Sequence, residues 1–364
     1  MADQLLKKDL ITKSEHIQLE VVRDIRNRAA HPSGVEETAE EARYIYRVVI
    51  EQFLSRQVLR TTHAADALIA RLGMANLFPG NDFDAVLKLV ESELVEFHPA
   101  AYPYLIQKLI AARASSDQER NAGRFLVGLA ALDNDAVKDL LRKHLVEGCS
   151  ADPAYAAWIG RIIAANGSVL KGVTPAATLR IRAMIEADAT QPTKLTVSAL
   201  GHPARRLAGM LKGLGEVAVL ADYRTFAEAV IDHFAYAPSI LAILPDAPEL
   251  RDRTVELWIR KARSSQWDDS NPLATAAPVL DEFVEAILAD AEAFQLIIAI
   301  IEGAEWGGRF PKRLRAEHFA GTPKLREMAI RYAATNPKDS GKLVDAAFPG
   351  TALADFLSDE LDSD

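Results

Sequence analysis

The sequence predicts an all-α fold, in which a short N-terminal helical hairpin precedes an α-solenoid of stacked antiparallel helix pairs. Three observations predict it. Apolar residues recur at spacings of three and four along nearly the whole chain, Gly or Pro punctuates the gaps, and alternating strand patterns are sparse. The 364 residues are 49% hydrophobic and 26% charged, a globular composition with material for two ordinary domains or one extended helical array.

The first clear helix is expected from Thr12, where Thr12 and Glu15 have the spacing of a capping box. Its apolar stripe reads Ile17, Val21, Val22, Ile25 and Ala29, and it is expected to stop at His31, because Pro32 disfavours helical geometry in the residue before it. A second helix is expected from Glu36 and Glu37, whose carboxylates suit the positive end of a helix dipole. Its stripe reads Ala42, Ile45, Val49 and Phe53, with Tyr46 and Ile50 beside it. These two helices close the hairpin, residues 1–56.

From residue 57 to 354 the text becomes helices of ten to seventeen residues with short connections. Clear cases are Asp82–Phe97 with Tyr102–Ala114, then Phe125–Leu132 with Ala136–Val146, whose connection Asp133-Asn134-Asp135 also supplies a cap. Pro248–Ser264 starts with proline at a first helical position, where its missing N–H costs nothing. Ala277–Asp290 followed by Glu292–Gly303 completes the series. Two apolar runs with strand-like composition, Val217–Leu220 and Phe294–Ile301, are read as buried helix because helical patterns flank them. No repeat of fixed period is readable, so a degenerate HEAT-like array is inferred from the alternation of elements. Breaks in the stack are expected near residues 167–175 and 266–272, and residues 355–364 read as an acidic tail.

Several function classes lose support on the same text. The longest uncharged apolar stretch, Ala293–Ile301, is too short to span a bilayer, and charges break up the N-terminal residues, so a cytoplasmic location is expected. The single cysteine, Cys149, excludes an intramolecular disulfide and a cysteine-based zinc site. No histidine pair lies four apart, and no metal or other cofactor is expected. Gly-rich phosphate loops and the Gly-x-Ser-x-Gly elbow are absent from the sequence. A net charge of −9 confines any RNA contact to local basic spots. Such spots are Arg309, Lys312, Arg313 and Arg315 beside Trp306, and His202 to Arg206 with Lys212.

One segment carries chemistry: Val22-Arg23-Asp24-Ile25-Arg26-Asn27-Arg28-Ala29-Ala30-His31-Pro32. An Arg followed by four to six residues and then a His occurs three times, at Arg26 to His31, Arg56 to His63 and Arg313 to His318. Only the first has Asn after the Arg, a helix-ending Pro after the His and a suitable helix downstream. Metal-free RNA cleavage needs a group that exchanges protons near neutral pH, which His supplies, and a fixed cation for charge growing on the phosphate, which guanidinium supplies.

Arg26, Asn27 and His31 match, in order and spacing, the signature of HEPN domains, and residues 12–56 resemble the end of that helical bundle. The resemblance implies a metal-independent ribonuclease with Arg26 as charge stabiliser, Asn27 as orienter and His31 as general acid or base. It further implies a dimer whose two Arg-His sets face one cleft; Arg23 and Arg28, on the same helix, are additional candidate RNA contacts. In that family two further helices normally precede the signature, and here only about a dozen residues precede the helix that carries it. Two readings follow. One is an RNA-targeting effector of the toxin or phage-defence kind, with the array sensing or recruiting a protein. The other is a non-catalytic scaffold that dimerises through its hairpin, with Arg23, Arg26 and Arg28 in helix-face ion pairs.

Overall fold

The structure is a computed structural model that describes residues 2–7, 11–30, 38–54, 62–78, 83–189, 195–264, 266–306, 313–314, 319–336 and 338. It is all-α, with no β-strand among the described residues, and its helices pack into an array. The chain divides into two compact units, Met1–Ile162 and Ile163–Asp364. No described helix is long and apolar enough to cross a membrane.

The first unit opens with α1 (Ala2–Lys7), α2 (Lys13–Ala30) and α3 (Ala39–Tyr46), which runs on as a π-type turn over Arg47–Leu54. The expected capping box of α2 is present: the Glu15 carboxylate accepts from Thr12 N–H at 2.7 Å, and Thr12 Oγ1 accepts from Glu15 N–H at 3.3 Å. Glu36 and Glu37 lie outside the described residues. The described start of α3 is set instead by a second capping box, Thr38 with Glu41.

The predicted stripes do not become the buried faces. On α2 only Ile25 is buried, while Ile17 and Val21 stand 63% and 41% exposed. On the following helix Val48 is the buried residue, and Tyr46 and Ile50 face solvent. Part of the reason is winding. A π-type turn carries more residues per revolution than an α-turn, so the register counted from Ala42 slips past Arg47.

The unit continues through α4 (Thr62–Arg71), α5 (Phe83–Val95), α6 (Tyr102–Ala111), α7 (Glu119–Ala131) and α8 (Asp135–Leu141), the last extended by a π-type turn over Arg142–Glu147. Its core gathers Val90, Leu105, Leu109, Phe125, Leu126, Leu129 and Leu141, all fully buried. Asn134 caps α8 as expected, its side chain accepting from Val137 N–H at 3.1 Å. Buried Asn121 on α7 donates to the carbonyls of Leu72 and Met74 at 2.8 and 2.9 Å, which satisfies acceptors left open where α4 ends. Helix α9 (Ala156–Ala165) spans the division between the units.

The second unit holds α10 (Pro175–Ala189), α11 (Pro203–Leu214), α12 (Glu216–Phe234), the short α13 (Pro238–Leu241), α14 (Pro248–Arg263), α15 (Trp267–Asp281), the short α16 (Val284–Ile287), α17 (Asp290–Trp306) and α18 (Pro323–Thr335). The segment expected to break the stack, 167–175, begins with a tight 3-10 turn over Gly167–Leu170 that packs backbone to backbone on α11. Gly172 follows at φ 72°, a left-handed backbone conformation that favours glycine. The second expected break is a helix: α15 starts at Trp267 and carries Pro272 and Pro278 inside it. The single helix expected over Ala277–Asp290 is three pieces, the end of α15, α16, and the start of α17.

Ion pairs show how the helices stack. Leu250 N–H donates to Glu216 at 2.7 Å near the starts of α14 and α12, and Lys261 donates to the Asp232 carbonyl at 2.9 Å near their ends, so these helices run parallel. Arg251 grips Glu292 and Arg263 pairs with Glu302, which fixes α14 and α17 parallel too. Arg331 to Asp290, at 2.9 Å, sets α18 antiparallel to α17. Parallel alternate helices with antiparallel neighbours are the arrangement expected of stacked helix pairs. Both strand-like runs are helical. Phe294–Ile301 is the buried part of α17, apart from the exposed Gln295, and Val219 and Leu220 are buried in α12, but Val217 is 86% exposed.

Candidate functional site

Two features of local structure position the Arg26 region. The capping box fixes where α2 begins, Ile25 anchors its second half in the interior, and the next residues, Arg26 and Asn27, are therefore carried on the outside of the last turns. The helix is described to Ala30, and His31 follows it in sequence but lies outside the described residues.

The three arginines of this segment have different environments. Arg23 is held by Glu20, with Nη1 to Oε1 at 2.9 Å, and approaches Asp24 at 3.5 Å. Arg28 reaches across to α3, where its Nη2 donates to Glu41 Oε1 at 2.8 Å. Glu41 also receives Thr38 N–H at 3.1 Å and Thr38 Oγ1–H at 3.2 Å. The Thr38 N–H above all, then its hydroxyl and the Arg28 guanidinium, hold this carboxyl below the ordinary glutamate range against a smaller desolvation effect. Arg26 and Asn27, by contrast, are exposed and make no hydrogen bond or ion pair among the described residues. The Arg28 to Glu41 bridge thus ties together the helix ends on either side of residues 31–37, and leaves one guanidinium and one carboxamide with open valences between its own paired neighbours.

The other basic spots separate. Arg313 is exposed beside buried Leu314, while Arg309, Lys312 and Arg315 lie outside the described residues. The spot around His202 is structural. His202 is 1% exposed, its Nδ1 accepts from Ala204 N–H at 3.1 Å as the cap of α11, and its ring meets the Phe234 ring edge-on at 4.5 Å. Burial, and secondarily the neighbouring Arg206, push its imidazole below the usual histidine range. Arg206 is itself buried against Asp188 at 2.6 Å.

Sequence reasoning missed two groupings. Asp3 of α1 meets His16 and Glu20 of α2, one ligand atom from each lying within 4.8 Å of the others, with His16 Nε2 at 2.8 Å from Asp3 Oδ1. The His16 to Glu20 spacing of four was legible as one helix face, but nothing in the sequence placed Asp3 against it. The second is a cleft of about 520 Å³ lined by Arg260, Lys261, Arg263, Ser264 and Asp269 at the end of α14. Its cations read as ordinary helix-terminal charges.

Compared with protein-family models, with curated proteins and with solved structures, this chain gives no match. The chemistry of its own residues therefore carries the functional reading.

Proposed function

We propose that this protein is a metal-independent endoribonuclease-type effector acting in the cytoplasm, with catalysis at Arg26, Asn27 and His31 and with its helical array recruiting a protein partner. The observation that supports this reading is the difference among the arginines: Arg23 and Arg28 are held by carboxylates, while the side chains of Arg26 and Asn27 are exposed and have no partner among the described residues. A structural ion-pair role accounts for the first two and not for Arg26.

In this reading His31 takes the proton of an RNA 2′-hydroxyl as its oxygen attacks the adjacent phosphorus. The 5′-oxygen leaves and receives a proton from the His31 of a second copy, producing a 2′,3′-cyclic phosphate and a 5′-hydroxyl. Arg26 stabilises the charge that builds on the non-bridging oxygens, and Asn27 orients the phosphate or the imidazole. The test is cleavage of RNA in EDTA. Arg26→Ala and His31→Ala, each shown by circular dichroism to be folded, are expected to lower the rate about 10²–10⁴-fold. Equal rates in wild type and both variants would sink the assignment.

One observation favours the scaffold reading instead: four large apolar side chains of the N-terminal hairpin, Ile17, Val21, Tyr46 and Ile50, are exposed. Under that reading Val21→Asp converts a dimer to a monomer in sedimentation, and His31→Ala has no biological effect.

A further inference from the structure

We infer that Asp3, His16 and Glu20 form a binding site for a divalent first-row cation of the Zn²⁺ class, which clamps α1 onto α2. Their ligand atoms already lie within 4.8 Å of one another, and the three residues offer one imidazole nitrogen and two carboxylates, the mixed donor set that Zn²⁺ accepts with a water in the fourth position. His16 and Glu20 are four apart on α2 and share a face, so the helix itself sets their separation. The His16 side chain is only 18% exposed, which holds its ring in place, whereas Asp3 is 81% exposed and free to adjust to bonds of about 2.0–2.2 Å. Binding replaces the present His16 Nε2 to Asp3 hydrogen bond, so Nε2 must offer its lone pair: a neutral ring then carries its hydrogen on Nδ1, and a doubly protonated ring gives up one proton.

One neighbour opposes the metal. Arg23 pairs with both oxygens of Glu20, so guanidinium and cation compete for the same carboxylate. Asp24, 3.5 Å from Arg23, offers the displaced guanidinium another partner. The competition provides a test that a chance surface cluster fails. His16 lies ten residues before Arg26, about 15 Å along the helix, so the site is separate from the proposed ribonuclease residues, and its readout needs no RNA.

The experiment is Co²⁺ titration of the untagged, EDTA-treated full chain, followed by Zn²⁺ displacement, with circular dichroism as the check of folding. Expected are visible absorption bands that saturate at a single equivalent, an affinity at least tenfold weaker in His16→Ala and in Glu20→Gln, and one several-fold tighter in Arg23→Gln. Zn²⁺ is also expected to slow amide hydrogen exchange in residues 2–7. A titration without bands, or one that His16→Ala and Arg23→Gln leave unchanged, overturns the inference.

Discussion

At the scale of single residues, the acid side of the pH profile follows from two groups. Glu41 has a folded pKa depressed mainly by the Thr38 N–H and secondarily by the Thr38 hydroxyl and Arg28. Its stabilising effect is complete above the unfolded glutamate pKa and is lost as pH falls through the lower folded value. An NMR titration of Glu41 is therefore expected to give a midpoint below the ordinary glutamate value, moving upward in Arg28→Ala. No upward movement would mean that the bridge from α2 to α3 does not form in solution. His202 obeys the same sign. Burial depresses its folded pKa, so its contribution is complete above the unfolded histidine value and declines as pH falls from there through the folded value. His202→Asn keeps a side-chain acceptor for the α11 cap. The variant is expected to melt at a lower temperature than wild type near neutral pH and to lose the part of the acid sensitivity that His202 carries. The pairing of Arg23 with Glu20 was foreseeable from their helical spacing and charge. The isolation of Arg26 was not, because it depends on which carboxylates α3 brings back.

At the scale of elements, caps were legible and packed faces were not. Thr12 with Glu15, Asn134 before α8, and Pro248 at the start of α14 all act as their residue types and spacing predict. These interactions are local, closed within three or four residues, so sequence contains everything they need. The exposed Ile17 and Val21, the buried Val48 and the passage of α15 through two prolines depend on neighbours and on π-type winding, which periodicity counted at 3.6 residues cannot register. The approach of the Ile163–Ala164 backbone to α11 shows the same limit. A Cβ on Gly209 of α11 would run into the carbonyl of Ile163, because the two backbones touch there. Gly209→Ala is expected to destabilise the fold by about 1–3 kcal/mol, through the shift it forces on that contact. A urea-melt midpoint equal to that of wild type would show that the backbones can separate freely.

At the scale of the whole molecule, the charge of −9 means that RNA, if bound, meets a mostly repulsive surface with a few local cations. Binding is then expected to depend weakly on salt, with a slope of log K against log salt smaller in magnitude than about 3. A much steeper slope would place the RNA on an extended basic surface instead of the α2 end. The helical stack of the second unit makes its own prediction. Arg251 bonds the Ile287 carbonyl and Glu292 at once, tying α14 to the start of α17. Arg251→Ala is expected to cost roughly 1–3 kcal/mol, since it strips charge-assisted bonds from partly buried partners. A chemical melt of the full chain unmoved by this change would show that the ladder of ion pairs adds nothing to the stack.

By itself the sequence determined the all-α class, the caps and most helix positions, because helical periodicity, turn residues and N-caps act over a few residues and need no distant partner. It also singled out Arg26, Asn27 and His31 as the candidate site on which the proposed function rests. Tertiary structure alone decided which faces are buried, that Arg28 is neutralised by Glu41, and that Asp3 meets His16 and Glu20. Those outcomes depend on how helices return against one another, and the same apolar or charged pattern is compatible with several such returns until packing selects one.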